Sequence, residues 1–230
     1  MRIPRTLLAM GLALLPSLPA SAAAGPAGRT LTDPRSIASV ANPDAKPIPI
    51  DDLYFTRRVS GATWSPDGRE VAFTTDISGR NNLWKVSAAG GWPIQLAQSD
   101  DRQFGAAWSP DGKWIVFQQD RAGNELYDLY AIPAEGGQVV NLTNTPEIRE
   151  GSALWSPDGK TIALGYKPKV STFYDIALLD WETRQVRKLT NEATKDHSWS
   201  SVAWSHDGKS LYANRTQVGS TDSDIYRIDV

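Results

Sequence analysis

The sequence predicts an all-β fold, a β-propeller of four-stranded antiparallel blades that is incomplete, with about three and a half blades present. Three observations carry this. The phrase Trp-Ser-Pro-Asp-Gly stands at Trp64, Trp108 and Trp155 and returns as Trp-Ser-His-Asp-Gly at Trp204, a period of about 47 residues. Aligned on those tryptophans, "NNLWKVSAAGG", "YDLYAIPAEGG", "YDIALLDWETR" and "SDIYRIDV" fall in register, so that Leu83, Leu129, Ile176 and Ile225 occupy equivalent places. The segment after each Gly is apolar at successive positions (Val71, Ala72, Phe73; Ile115, Val116, Phe117), as a strand covered on both faces requires. Sheets stacked face to face around an axis meet that requirement, and a parallel β-helix would need far shorter repeats.

In chain order, residues 1–22 read as a signal peptide. "MRIPR" supplies two arginines, "TLLAMGLALLPSLP" is an apolar stretch too short to span a bilayer, and Ala20-Ser21-Ala22 offers a small-x-small cleavage site. Residues 23–46, rich in Ala, Pro, Gly and Ser without an apolar period, read as a flexible leader. Residues 47–230 are the partial propeller, with blades near 60–97, 104–143, 151–190 and 200–230. In the lead-in "IPIDDLYFTRRVS", Asp51 can cap a helical turn that presents Leu53 and Phe55 to the body, with a short strand as the alternative.

Each blade then reads as strands A to D. A ends on the tryptophan; B is "REVAFTTD", "KWIVFQQD", "KTIALGY" or "KSLYANR"; C carries the register anchors; D is "WPIQLA", "QVVNLT" or "QVRKLT". Ser-Pro-Asp-Gly is the A-to-B hairpin device: proline presets φ, Asp favours the next position, and Gly accepts the left-handed conformation. The four tryptophans are expected between neighbouring sheets. The strand D leucine of the fourth repeat would fall near position 238, by analogy with the second and third repeats, so the fourth blade is expected without strand D and the blades are expected as an open arc.

The chain has 230 residues, 24 Lys and Arg, 26 Asp and Glu and no cysteine. Loss of Arg2 and Arg5 with the signal leaves about minus four, and the cations are scattered, which argues against a nucleic-acid surface. Without cysteine there is neither thiol chemistry nor a cysteine metal site. The expectations are a secreted or periplasmic protein, no membrane span after signal cleavage and no cofactor.

Candidate chemistry is sparse. No G-x-S-x-G stretch is present. His206 replaces the turn proline and reads as a solvated turn residue. His197 lies beside Asp196 in the loop entering the fourth strand A, without a nucleophile. Asp100 and Asp101, and Asp222 and Asp224, lack the spacing of a calcium loop and read as solvated loops. "DWETRQ" from Asp180 aligns with a C-to-D turn. The sequons at Asn141, within strand D, and Asn214 matter only in a glycosylating host. The segments "GATW", "GAAW", "SALW" and "SVAW" of strand A are small and neutral, which argues against a propeller lyase or glycosidase. Catalytic, cofactor and metal residues are therefore assigned as none. Recognition is expected on the face of the B-to-C and D-to-A loops, where Asp101, Arg149 and His197 lie.

"IDDLYFTRRVSGATWSPDGREVAFTTD", "NLWKVSAAGG" and "LYAIPAEGGQVVNLT" resemble the N-terminal propeller of prolyl oligopeptidase-family serine peptidases, in particular the exported acylaminoacyl- or dipeptidyl-peptidase-like members. The repeats themselves are shared with TolB-type propellers. The resemblance implies a propeller that gates and docks, short peptides as substrate of the parent protein, and a C-terminal α/β-hydrolase domain as partner. The alternative is a stand-alone TolB-like periplasmic propeller that binds protein partners. Glu147 and Glu150 in "PEIREG" are the nearest match to the acidic pair with which dipeptidyl peptidases hold a substrate N-terminus, and they are expected in an inter-blade loop.

Overall fold

Ser-x-Asp-Gly turns fix the start of each second strand in the computed structural model, which describes residue 46, residues 49–219 and residues 222–230. The expected signal peptide and nearly all of the leader lie outside the described residues. In all four turns the Gly N–H donates to the Ser carbonyl at 2.9 Å, with Gly68, Gly112, Gly159 and Gly208 at φ 69 to 71°. The serine hydroxyl donates to the Asp carboxylate at 2.6–2.7 Å and accepts the N–H of the residue that opens strand B at 2.9–3.0 Å. The histidine copy at His206 keeps the same geometry, so the hydrogen bonds and the glycine define this turn and proline only preorganises it.

Four antiparallel sheets follow, each a meander. The first holds β1 (Val59–Trp64), β2 (Glu70–Thr75), β3 (Asn82–Ser87) and β4 (Ile94–Gln95); the second holds β5 (Gln103–Trp108), β6 (Trp114–Gln119), β7 (Asp128–Pro133) and β8 (Val140–Asn141). The third holds β9 (Ile148–Trp155), β10 (Thr161–Pro168), β11 (Asp175–Asp180) and β12 (Val186–Lys188). The fourth has three strands, β13 (His197–Trp204), β14 (Ser210–Gln217) and β15 (Ser223–Asp229). The lead-in is a short helix, α1 (Ile50–Phe55), with Asp51 inside its first turn; Phe55 is 66% exposed, and the side chain of Leu53 lies outside the described residues.

Three apolar cores lie between successive sheets. Ala72 and Leu83 of the first sheet meet Ile115, Phe117 and Ile132 of the second. Val116 and Leu129 on the opposite face of the second meet Ile162, Leu164 and Leu179 of the third. Ala163, Ile176 and Leu178 of the third meet Leu211 and Ala213 of the fourth. Alternate residues of β6 and β10 therefore face opposite neighbours, the reason those strands are apolar at every position. The anchors Leu83, Leu129 and Ile176 are each fully buried against the next sheet, whereas Ile225, their equivalent, is 73% exposed. Among the described residues no core joins the fourth sheet to the first. The blades form an open array, as expected.

The tryptophans follow the expected pattern only in part. Trp108 and Trp204 donate their indole N–H to the preceding sheet, at the carbonyls of Thr63 (3.2 Å) and Leu154 (3.0 Å). Trp155 also packs against the core between the second and third sheets, on Trp181 with centroids 4.9 Å apart, while Trp114 meets Trp181 edge-on at 5.4 Å and Arg184 lies 3.9 Å over the Trp181 ring. Trp64, on the outer face of the first sheet, is 63% exposed and does not pack between sheets.

Candidate functional site

Strand direction divides the molecule into two ends. The Ser-x-Asp-Gly turns and the C-to-D turns share one; the B-to-C and D-to-A loops share the other. The first end is nearly uniform from blade to blade. Its one departure is the Trp181 turn, where Asp180 accepts the backbone N–H groups of Thr183 (2.7 Å) and Glu182 (3.1 Å).

The second end carries aromatic rings with cations over or beside them. Arg102 lies 5.8 Å from the Phe104 centroid, Arg149 4.9 Å from Tyr127, Lys167 5.4 Å from Tyr174 and Arg215 5.9 Å from Trp199. Phe104 meets Tyr127 edge-on at 5.5 Å. Phe104, Tyr127, Arg149, Gly151, Ser152 and Tyr174 line an open cleft of about 290 Å³ between the second and third sheets, with Gln118 and Glu150 at its base. Rings, a guanidinium and small polar groups suit an extended peptide, because each contact is amphipathic and little side-chain entropy is lost on binding.

Glu150 is not in a loop, as expected from sequence, but within β9, and it is fully buried. Its Oε2 accepts the Leu129 N–H at 2.8 Å and the Thr143 hydroxyl at 2.6 Å, and its Oε1 accepts the Thr145 hydroxyl at 2.8 Å. Gln103, at the same place in β5, accepts the Leu83 N–H at 2.8 Å. Both are struts that hold the preceding blade's strand C. Burial, the largest influence, outweighs those donors and raises the Glu150 pKa to about 7. Glu147 lies just before β9, exposed, 3.8 Å from Lys169. The two glutamates thus do not form an acidic pair.

His197 opens β13 and is not in the loop before it; its Nδ1 lies 2.5 Å from Asp196 Oδ1. Glu192 brings a third donor, all three within 4.8 Å of one another. Arg215 binds Glu192 in a fork (2.9 and 3.0 Å) and, with the Thr194 hydroxyl and backbone N–H, holds the Glu192 pKa down at about 2; the Trp199 indole N–H also donates to Glu192 at 3.1 Å. A cation at this cluster would sit beside a guanidinium that already neutralises Glu192, so the geometry favours a structural ion pair.

The other sequence candidates are dispersed. Asp101 accepts the Ala122 N–H at 2.7 Å and ties a D-to-A loop to a B-to-C loop, with Asp100 beside it in an exposed bend. Asp222 precedes β15, but Asp224 lies within that strand and not in a loop. Asn141 is in β8 and donates to Asp128 at 2.8 Å, Asn214 is in β14, and His206 is exposed. Strand A is longer than its small neutral core suggested: β9 and β13 begin upstream and bring Arg149, Glu150 and His197 into the sheet. Sequence reasoning missed Phe104, Tyr127, Lys167 and Tyr174, which share a site only through strand pairing.

The TolB beta propeller domain family, PD40, matches residues 54–201. The chain belongs to that family. Among solved structures, this TolB-type chain is similar to a TolB-type protein of Agrobacterium tumefaciens, with TM-score 0.61 and 20% identity over 75% of this chain and 62% of that one. TolB from Acinetobacter baumannii gives 0.59 and 21%, covering 75% and 41%. A prolyl endopeptidase studied for inter-domain dynamics gives 0.60 and 17%, covering 76% and 28%, and the Mycobacterium tuberculosis puromycin-hydrolyzing peptidase gives 0.57 and 14%, covering 75% and 31%. At these identities the likeness is one of fold. The chain spans less than two thirds of the length of each. No curated protein matches it. Among the described residues no helix is long and apolar enough to cross a membrane.

Proposed function

We propose that this chain is the substrate-gating and docking propeller of an exported serine peptidase of the prolyl oligopeptidase type, with the chemistry in an α/β-hydrolase domain beyond these residues and short peptides as the substrate of the whole protein. The observation that carries this reading is the aromatic and cationic cleft at the B-to-C and D-to-A end, a surface suited to peptide beside the strands that would line a propeller axis. The lead-in before the first repeat and the propellers of the prolyl endopeptidase and the puromycin-hydrolyzing peptidase support it. Export to the periplasm or beyond rests on the first 22 residues.

The second reading, a TolB-like propeller that binds protein partners, is favoured by the family match and the two TolB-type structures. The coding frame downstream of Val230 separates the two. Further repeats followed by a G-x-S-x-G stretch establish the peptidase; a stop, or a ring that closes without a hydrolase domain, favours the binding module. The chain by itself is expected to hydrolyse neither aminoacyl nor dipeptidyl chromogenic amides, since among the described residues no base and oxyanion hole accompany a nucleophile. Turnover that survives repurification and is stopped by a serine-directed inhibitor would overturn that expectation.

A further inference from the structure

The four repeats share one pair of positions at the recognition end: six residues before the motif tryptophan, in or just before strand A, and twelve after it, at or just past the end of strand B. In the first repeat the pair is Arg58 and Asp76, with the Arg58 N–H donating to the Asp76 carboxylate at 2.8 Å. In the second it is Arg102 and Asp120, where the backbone N–H donates at 3.0 Å and the guanidinium at 3.1 Å to a fully buried carboxylate. In the fourth it is the neutral pair Ser198 and Thr216. In the third it is Arg149 and Lys167, directly paired across β9 and β10.

The third repeat thus keeps the arginine of the first two, loses the aspartate that faces it there and that pairs with its guanidinium in the second, and sets a second cation opposite it. Two like charges on directly paired residues repel each other, and nothing in the strand register requires them there. Their surroundings do little to cancel the charge. Glu125, exposed on the neighbouring B-to-C loop, lies 3.9 Å from Arg149 and is shared with Arg102 at 3.8 Å. Glu147 is paired with Lys169. Glu150 points its carboxylate into the protein, onto Leu129, Thr143 and Thr145. Among the described residues no carboxylate comes within 4 Å of Lys167, whose charge faces the Tyr174 ring. Arg149 lines the cleft with Phe104, Tyr127 and Tyr174.

We infer that Arg149 and Lys167 form a carboxylate-binding site on the propeller, taking the carboxylate of a short peptide while Phe104, Tyr127 and Tyr174 cover the residue that bears or precedes it. A planar guanidinium recognises a carboxylate through paired hydrogen bonds, the ammonium adds a point charge, and the flanking rings exclude water from the contact. The inference rests on reading this end as the recognition face, yet it holds for either identity of the whole protein, so its test is independent of the downstream reading frame.

Titration calorimetry with acetyl-Ala-Phe as free acid and as amide, and with acetyl-Ala-Glu-Ala amide, separates a C-terminal carboxylate from an acidic side chain. The expected result is saturable binding of at least one carboxylate peptide, at least tenfold tighter than the neutral amide and weakening as salt is raised. Lys167→Asp, which restores the arrangement of the first and second repeats, should abolish that preference, and Arg149→Gln should do the same. Ligand-free Lys167→Asp should melt higher than the parent at low salt, a difference that shrinks at high salt, which shows that the variant folds and that the parent carries the repulsion. Equal affinity for acid and amide, no saturable binding of any carboxylate probe, or an unchanged preference in folded Lys167→Asp overturns the proposal.

Discussion

Glu150 and the turn residue His206 show how one repeat position can carry different chemistry. Glu150 occupies the place of Gln103 but is ionisable, and burial raises its pKa from 4.5 to about 7. An acid whose folded-state pKa lies above its unfolded value binds its proton more tightly when folded, so this contribution is fully present below about pH 4.5 and is lost as pH rises through about 7. The loss is roughly 3 kcal/mol. Urea denaturation of the parent at pH 4.5 and 8 should show it, and Glu150→Gln should flatten the dependence, since an amide still accepts from Leu129 and carries no charge. His206 sits in a turn whose three sister copies hold proline with the same Gly–Ser hydrogen bond. His206→Pro should therefore stabilise by about 0.5–1 kcal/mol by restricting the unfolded chain, measured as a rise in the urea midpoint at constant slope.

At the scale of the strand, equivalent positions differ in worth according to whether a neighbour exists. Leu129 on β7 is fully buried between the second and third sheets, and Ile225 on β15 holds the same register but is 73% exposed. Leu129→Ala should cost about 2–5 kcal/mol through lost transfer energy and a cavity. Ile225→Ala should change stability by less than about 0.5 kcal/mol. Comparable losses at both positions, in equilibrium unfolding of this chain, would show that something covers the outer face of the fourth sheet.

Among the described residues the apolar cores join each sheet to its neighbours in sequence, as in a stack, so local stability follows the number of covered faces. The second and third sheets are covered on both sides. The fourth is covered on one, and the edge of β15 away from β14 pairs with no strand among the described residues. Hydrogen exchange should find the amides of β6 and β10 the slowest and those of β14 and β15 faster. Uniform protection across all four sheets would contradict this ordering.

The sequence by itself determined the four repeats, the turn chemistry and the strand order, because these follow from short-range patterns repeated at a fixed period: a Ser-x-Asp-Gly turn, runs apolar at successive positions, and anchors in register. It also contained the substitution of aspartate by Lys167, legible once the repeats are aligned on their tryptophans. Only the tertiary structure decided which side chains meet. Glu150 belongs to a strand because β9 extends upstream of its neutral core, and its role as a strut depends on the amide of Leu129, 21 residues away. The cleft joins Phe104, Tyr127, Arg149 and Tyr174, residues distributed over two sheets. Their proximity is set by face-to-face packing, in which side chains far apart in sequence are brought to one end of the strands, and no local periodicity records that distance.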